Sequence, residues 1–212
     1  NENWTRTWDG SEDHILIEQK YSEEDDRAHI RHLCEIFRDR RYIHVDGKPL
    51  FLVYRANRFP DPLRTTTLWR EEARRLGIGE LFLCRVESFP DEHTDPQDLG
   101  FDAAVEFQPD WTLLSENLRD ERLPGLTAFR YERVVDRMLR KDTPPYRRFP
   151  CVTPSWDNTP RRGKGCLMLT GSSPAQYGRW LRGTLQQLEE RGEKDTFIFI
   201  NAWNEWGEGN HL

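Results

Sequence analysis

Two glutamates three residues apart, Glu205 and Glu208, stand in the closing segment of the chain. They follow the apolar run 196–200, which is typical of a buried β-strand. In an extended chain their carboxylates would point to opposite faces, whereas a turn or a first helical turn would place them on one side. Gly207 and Gly209 give the backbone the freedom for such a turn. The spacing therefore predicts two carboxylates that converge just beyond a strand.

Paired carboxylates are the groups that glycoside hydrolysis needs. One protonates the departing oxygen and the other assists attack at the sugar, and a retaining arrangement holds them about 5–5.5 Å apart. Such proximity also drives their two pKa values apart, so that one carboxyl stays protonated near neutral pH. Nearby, Trp203 and Trp206 offer flat faces for sugar rings, while Asn201 and Asn204 could hydrogen-bond hydroxyls. The alternative interpretation is a pair of solvated loop charges.

Further candidates follow from the rule that active residues of parallel α/β folds gather at the carboxyl ends of strands. Polar and aromatic groups stand at several predicted strand exits, and Arg161 after one of them could bind hydroxyls or an anionic group. Glu87 is another candidate, and Arg55 could equally be a structural ion-pair partner. The predicted substrate-binding residues at these exits are Asn3, Trp4, Tyr54, Trp156, Asp157 and Asn158.

Apolar runs alternate with amphipathic helices along the chain, which indicates a parallel sheet covered on both faces. The predicted strands are residues 49–55, 81–84, 103–107, 149–153 and 196–200. The predicted helices are residues 24–37, a helix capped at Thr65 to Thr67 and ending at Gly77, a helix through 131–139, and one capped by Ser173 and ending at Gly192.

This alternation predicts an α/β fold, specifically a (β/α) TIM-type barrel that is incomplete in this chain. Five strands are visible, and Asn1 to Trp4 resemble the exit of a sixth, whereas a closed barrel has eight strands in about 250 residues. We therefore predict that residues 1–212 form a single barrel domain without its N-terminal strands. An open doubly wound sheet is the alternative. No GxGxxG or GxxxxGK[ST] follows a strand, which disfavours a nucleotide-cradling version.

The composition of the chain excludes some classes of binding partner. A net charge of -6 with mixed-sign charge runs argues against nucleic acid, and no stretch approaches the roughly 20 apolar residues of a membrane span. Four cysteines without CxxC spacing are expected to be small buried side chains in a reducing compartment, so we expect a cytoplasmic bacterial protein. His29 and His32 are three apart on a helix, but we expect them on a solvated face and predict no metal site.

Four ordered segments of the chain resemble the WbsX-type proteins, which are glycoside hydrolase family 99-like domains often found with polysaccharide biosynthesis functions. The resemblance spans essentially the whole chain, and family members usually carry an upstream half with further barrel strands. The segments are NENWTRTWDG at 1–10, YIHVDGKPLFLVY at 42–54, SWDNTPR at 155–161 and NAWNEWGEGNHL at 201–212.

The resemblance implies a retaining endo-α-mannosidase or mannanase activity on a (β/α)8 barrel, without a metal or other cofactor. It implies that Glu205 is the base-like residue and Glu208 the general acid. The base would help the substrate's own 2-hydroxyl to attack, giving an anhydro-sugar intermediate. This chain has Gly207 where the hydrolases tend to have histidine, which leaves the sugar preference there open.

The sequence is therefore consistent with three alternative functions. The first is an enzyme that cleaves or transfers glycosidic bonds in an oligosaccharide or polysaccharide substrate. The second is a sugar-nucleotide-dependent glycosyltransferase of lipopolysaccharide or O-antigen biosynthesis, a label that WbsX-type proteins often carry. The lack of a phosphate loop or Asp-x-Asp motif counts against it. The third is a non-catalytic carbohydrate-binding domain.

Overall fold

The computed structural model describes residues 3–6, 11–162, 165–192 and 196–212. Asn1 and Glu2, which belong to the predicted N-terminal strand exit, lie outside the described residues. The helices are α1 (Glu23–Phe37), α2 (Pro62–Arg75), α3 (Tyr131–Leu139) and α4 (Pro174–Arg191). The strands are β1 (Trp4–Arg6), β2 (Ser11–Ile17), β3 (His44–Val45), β4 (Lys48–Tyr54), β5 (Phe82–Glu87), β6 (Ala103–Glu106), β7 (Ala128–Arg130), β8 (Arg148–Phe149), β9 (Cys151–Val152), β10 (Met168–Thr170), β11 (Phe199–Ile200), β12 (Asn204–Glu205) and β13 (Asn210–His211).

The chain divides into two compact units. The first consists of residues 1–6, 12–105 and 144–148, and the second of residues 7–11, 106–143 and 149–212.

The first unit is built around parallel strands β4 and β5, which pair from Leu50 opposite Phe82 to Tyr54 opposite Val86. They belong to a sheet with the order β3-β4-β5-β6-β8, in which β3 runs antiparallel to β4. Helices α1 and α2 pack against each other. The regular spacing of apolar residues explains this contact, because α1 buries one stripe of its surface. The stripe consists of Ile30, Cys34 and Phe37.

Helix α2 begins earlier than predicted. Asp61 is its N-cap, accepting a hydrogen bond from the Arg64 backbone N–H at 2.9 Å, and Pro62 is the first helical residue. The expectation that Thr65 to Thr67 cap the helix was therefore wrong. Thr65 and Thr66 lie buried inside the helix. An Asp-Pro pair is itself a helix start signal, since proline fits the first position and aspartate the cap.

The second unit contains two parallel strand pairs, β7 with β10 and β9 with β11. Helices α3 and α4 pack together, and a Cβ at Gly183 of α4 would lie 2.7 Å from the Leu139 side chain, so glycine permits the close approach. The predicted start and end of α4 are confirmed. The Ser173 hydroxyl accepts from the Gln176 N–H at 3.3 Å, and Gly192 adopts a positive φ of 63°.

Several strands differ from the prediction. Pro150 divides the expected strand 149–153 into β8 and β9, because proline has no N–H for the ladder. Only Phe199–Ile200 of the run 196–200 is strand. At the N-terminus, where the exit of a sixth strand was expected, β1 pairs with β2 in a two-stranded sheet.

The α/β class is confirmed, while the strands within the described ranges do not close a barrel. None of the helices in this part of the chain combines the length and apolarity needed to cross a membrane. All four cysteines are free, and three of them are buried as expected; the buried ones are Cys34, Cys84 and Cys151.

Candidate active site

The two glutamates lie at one tight turn in the second unit, Glu205 just before it and Glu208 at its end. Strand β12 pairs antiparallel with β13, with Glu205 opposite Asn210. The chain between β12 and β13 forms a single 3-10 turn, Trp206–Glu208, and Gly209 follows with a positive φ of 55°. The backbone therefore bends as the glycine spacing predicted.

Glu208 is the more enclosed of the two acids, with 22% of its side-chain surface exposed. The Nη1 of Arg161 donates to its Oε1 at 3.1 Å. Burial raises the pKa of Glu208; the Arg161 charge opposes that effect, the Glu205 charge adds to it, and the net pKa lies above the ordinary value. A carboxyl of this kind retains its proton to higher pH than a solvated one, which suits a general acid.

Glu205 is exposed, in contrast to Glu208. Its Oε1 lies beside Gly207, where an added Cβ would be 3.1 Å from that oxygen. The absence of a side chain at position 207 therefore leaves room for the Glu205 carboxylate. One turn thus combines an exposed carboxylate with a half-buried carboxyl whose proton affinity is increased.

The loop that follows β9 is fastened to this turn through backbone groups. The Asp157 N–H donates to the Glu208 carbonyl at 2.8 Å, and the Ser155 hydroxyl donates to the Gly209 carbonyl at 2.5 Å. A Cβ at Gly209 would lie 3.0 Å from both the Cβ and the carbonyl oxygen of Asp157. Only glycine therefore allows both the positive φ and this close approach. Two segments predicted separately, 155–158 and 201–208, meet here.

Asn210, which follows the turn, holds neighbouring segments together through its side chain. It was not among the predicted site residues. It is fully buried, and its Oδ1 accepts hydrogen bonds from the Thr153 hydroxyl at 2.9 Å and from the Ala202 N–H at 3.0 Å. These bonds join the end of β9 to the segment that precedes the glutamates. Its position in the polar closing segment was the available signal, but only the hairpin pairing shows that its side chain faces inward.

The residues Trp203 and Trp206 are 75% and 70% exposed. Trp206 stacks on the His211 ring with a centroid distance of 4.0 Å, while Trp203 and Asn204 are exposed beside the glutamates. Flat, exposed aromatic faces next to carboxylates match the requirements of a sugar-binding surface.

Three other predicted substrate-binding residues have structural contacts. Trp156 is 4% exposed and meets Trp111 edge to face in the core. The Oδ1 of buried Asn158 accepts from the Leu167 N–H at 2.7 Å, and the Asn201 side chain donates to the Gln108 carbonyl. Asp157 is half-buried, and its Oδ1 accepts from the Thr159 N–H at 2.9 Å, which orders the loop.

The remaining predicted residues belong to the first unit. Trp4 and Tyr54 are exposed, and Asn3 accepts a hydrogen bond from the Gln19 N–H at 2.8 Å. Glu87 is buried in an ion-pair cluster with Arg85 and Arg148. Its Oε1 also accepts from the Tyr146 hydroxyl at 2.7 Å; burial and this bond raise the Tyr146 pKa to about 12.

Among the residues that the structure describes, no group of three or more histidine, cysteine, aspartate and glutamate side chains is placed to hold a metal ion.

Solved structures define the class of fold. A chain named Glycoside hydrolase-like protein is similar with a TM-score of 0.61, covering 90% of this chain and 54% of its own, at 14% identity. The GH99 endo-alpha-mannosidase from Bacteroides thetaiotaomicron, in complex with BIS-TRIS-propane, gives a TM-score of 0.54, covering 91% of this chain and 56% of its own, at 16% identity. The chain therefore has the α/β fold of glycoside hydrolase-like proteins.

Sequence comparison gives the family, and it confirms the resemblance of the four segments. The chain belongs to the family described as Glycosyltransferase WbsX, whose model matches residues 1–212. It is 41% identical over 215 residues to "Uncharacterized protein WxcX" from Xanthomonas campestris pv. campestris (strain B100), and 40% identical to its counterpart in strain ATCC 33913. Each match covers 99% of this chain and 30% of the relative, so the chain spans less than a third of those proteins.

Proposed function

We propose that this chain carries the catalytic turn of a carbohydrate-active enzyme that cleaves or transfers glycosidic bonds with retention. The observation that carries the proposal is the pairing of half-buried Glu208, whose pKa is raised, with exposed Glu205 on one turn. The general acid must hold a proton and its partner must be ionised, so different environments for the two acids favour this division of roles. The family and the glycoside hydrolase-like fold support the same class of substrate.

In the proposed reaction, the Glu205 carboxylate removes the proton of the substrate's 2-hydroxyl as that oxygen attacks the anomeric carbon. Glu208 donates its proton to the departing glycosidic oxygen, whose bond to the anomeric carbon breaks. Water, or an acceptor hydroxyl, then opens the anhydro-sugar, gives a proton to Glu208 and so restores the acid, while Glu205 returns its proton to the 2-oxygen. Two inversions at one carbon give overall retention.

Three further expectations concern the domain, the substrate and the most specific activity of the whole protein. We propose that residues 1–212 are part of a (β/α) barrel domain and that the substrate is a bacterial polysaccharide bound in the cytoplasm. An endo-α-mannosidase activity is the most specific form of the proposal, because a GH99 endo-alpha-mannosidase is among the similar structures. Trp203, Asn204 and Trp206 would contact the sugar beside the glutamates.

Amide substitutions test the two roles. We expect Glu208→Gln and Glu205→Gln each to lower kcat on α-mannan or a bacterial surface glycan by about 10²–10⁴-fold, the usual contribution of acid–base catalysis. Glycan binding, measured by calorimetry, should persist because the amide keeps the shape of the side chain. Glu189→Gln on the exposed face of α4 is the matched control and should retain full activity. Unchanged turnover in both site variants would refute the mechanism.

The family description favours a second candidate, a glycosyltransferase that uses a nucleotide sugar. That function requires transfer from the nucleotide sugar to an acceptor glycan, with no hydrolysis of glycan alone. Incubating the purified protein with a panel of nucleotide sugars and an acceptor polysaccharide separates the two. A third candidate, the non-catalytic binding domain, requires no turnover in either assay and little effect of both amide substitutions on binding.

A further inference from the structure

The first unit contains a cavity of about 320 Å³ that the glutamate turn does not use. It lies where β4 and β5 end, since Arg55 follows the last residue of β4 and Phe89 comes two residues after β5. Ligands of parallel α/β sheets gather at this edge, and the volume lies within the range of small-molecule sites. Six residues line the cavity: Arg55, Asn57, Arg58, Phe89, Asp91 and Glu92.

One buried polar atom of a lining residue has unused hydrogen-bonding capacity, and a second belongs to the residue that precedes Phe89. The Nδ2 of Asn57 donates to the Asp91 carbonyl at 3.0 Å, which fixes the amide, while its Oδ1 is buried without a hydrogen-bond partner in the described part of the chain. The hydroxyl of Ser88, next to the lining residue Phe89, is likewise buried and has no partner there. Buried polar atoms are normally satisfied, so the unpartnered Asn57 acceptor in the lining favours a molecule that donates a hydrogen bond to it.

The charges of the lining select the kind of molecule. The lining includes two basic residues, Arg55 and Arg58, and two acidic residues, Asp91 and Glu92. Because the lining carries equal numbers of basic and acidic residues, it gives a simple anion or cation no net charge attraction. A neutral molecule with several hydroxyls can donate to the carboxylates and the Asn57 oxygen while accepting from the arginines.

The cavity wall is also held in place before any ligand arrives. The Oε2 of Glu92 accepts from the backbone N–H groups of Ser88 at 2.6 Å and Phe89 at 2.9 Å. The Arg55 guanidinium lies 4.0 Å above the Phe89 ring, a cation–π contact that orients its donors. Pre-organised donors and acceptors reduce the entropy lost on binding.

We propose that this cavity is a carbohydrate subsite that binds one neutral sugar residue through its hydroxyls. The choice of a sugar as the polyhydroxylated ligand rests on the proposed function. The proposed role of this cavity is binding and selectivity.

Backbone amide NMR of the full chain tests the proposal with a panel of monosaccharides: D-mannose, D-glucose, D-galactose and L-rhamnose. At least one should shift the amide resonances of residues 55–58 and 88–92 in a saturable way. Arg58→Ala and Asp91→Ala should each weaken that binding by about tenfold or more, the loss expected for a hydrogen bond to a charged group. Arg40→Ala and Asp98→Ala, on exposed residues outside the lining, are matched controls and should bind normally.

The outcomes separate this proposal from the catalytic one. Sugar binding in the cavity with lost turnover in Glu208→Gln supports both; sugar binding with unchanged turnover in both glutamate variants supports the subsite and refutes the mechanism. The subsite is refuted if no sugar shifts these amides, or if Asp91→Ala and Arg58→Ala bind as the unmodified chain does. It is also refuted if inorganic phosphate or acetate shifts the amides and the sugars do not, since the cavity would then be an anion site.

Discussion

Arg161 limits how strongly Glu208 holds its proton. The guanidinium lies 3.1 Å from Oε1 and lowers the pKa of Glu208, which burial and Glu205 together raise. Arg161→Leu removes the larger of the two lowering contributions, so the pKa of Glu208 rises further. A general acid is active only while protonated, and we therefore expect the alkaline limb of the kcat/KM profile to move to higher pH. Rates measured across the pH range check this.

Arg162 provides the matched control for that prediction. It also lowers the Glu208 pKa, but its effect is the smallest of those acting on the group. Arg162→Leu should therefore move the alkaline limb less than Arg161→Leu does. A limb that stays in place or moves to lower pH in Arg161→Leu would show that Glu208 is not the acid.

At the level of residues, the sequence predicted the turn between the two glutamates but not the exposure of the candidate side chains. The spacing of Glu205 and Glu208 with intervening glycine was enough to predict a turn. Trp206 is exposed and Trp156 is buried. The amino-acid sequence does not distinguish them, because both follow a predicted strand within a polar segment. Asn210 was missed for the same reason, since the pairing of β12 with β13 is what turns it inward.

The contact between the hairpin of β12 and β13 and the loop that contains Asp157 depends on Gly209. Gly209→Ala must adopt a positive φ, which costs of order 1–3 kcal/mol, and must also fit a Cβ 3.0 Å from Asp157. We expect a loss of stability in urea unfolding together with reduced turnover. Gly171→Ala is the control, because φ there is also positive, at +74°, but nothing lies within 4 Å of its Cβ. Equal stability of the two variants would show that the close contact with Asp157 is unimportant.

Among the elements, the long helices were the most predictable. The cap and the glycine stop of α4 are local signals, and both were found at the predicted residues. Strands β7 and β10 were not predicted, because each is only three residues long and its apolar pattern is too short to recognise. Their parallel pairing joins segments about 40 residues apart, as Met168 opposite Ala128 shows, and no local pattern carries such information.

For the molecule as a whole, we predict that acid weakens the first unit through Glu72. This side chain is 3% exposed and pairs with Arg31 and Arg75. Hydrogen bonds from Arg75 and then Arg31 lower its pKa from 4.5 to about 2. A depressed folded-state pKa stabilises the protein above the unfolded value, and this contribution is lost as the pH falls from 4.5 toward 2.

Urea unfolding between pH 7 and pH 2 measures that contribution. Glu72→Gln should be less stable at pH 7, because the arginines lose their carboxylate, and its stability should fall less steeply below pH 4.5. Glu71→Gln, at the exposed neighbouring position, should behave as the unmodified chain does. Parallel pH dependences of Glu72→Gln and the unmodified chain would contradict the assignment.

The α/β class was visible in the whole sequence because strand and helix patterns alternate, and each pattern reflects which faces are buried. The order of strands was not visible. Pairing is decided by contacts between distant segments, and the interruption at Pro150 separates β8, in the five-stranded sheet, from β9, which pairs with β11.

The loop of Asp157 is tethered to the main-chain oxygen of Glu208, and the carboxyl group takes no part in that tether. In the proposed reaction this acid gives up and regains a proton in every cycle. The hydrogen bond to the main-chain oxygen does not depend on the charge of the carboxyl group, so Asp157 can keep its position throughout turnover. Replacing the acid by an amide should likewise leave this main-chain hydrogen bond in place, while the ion pair with Arg161 is lost together with the transferable proton.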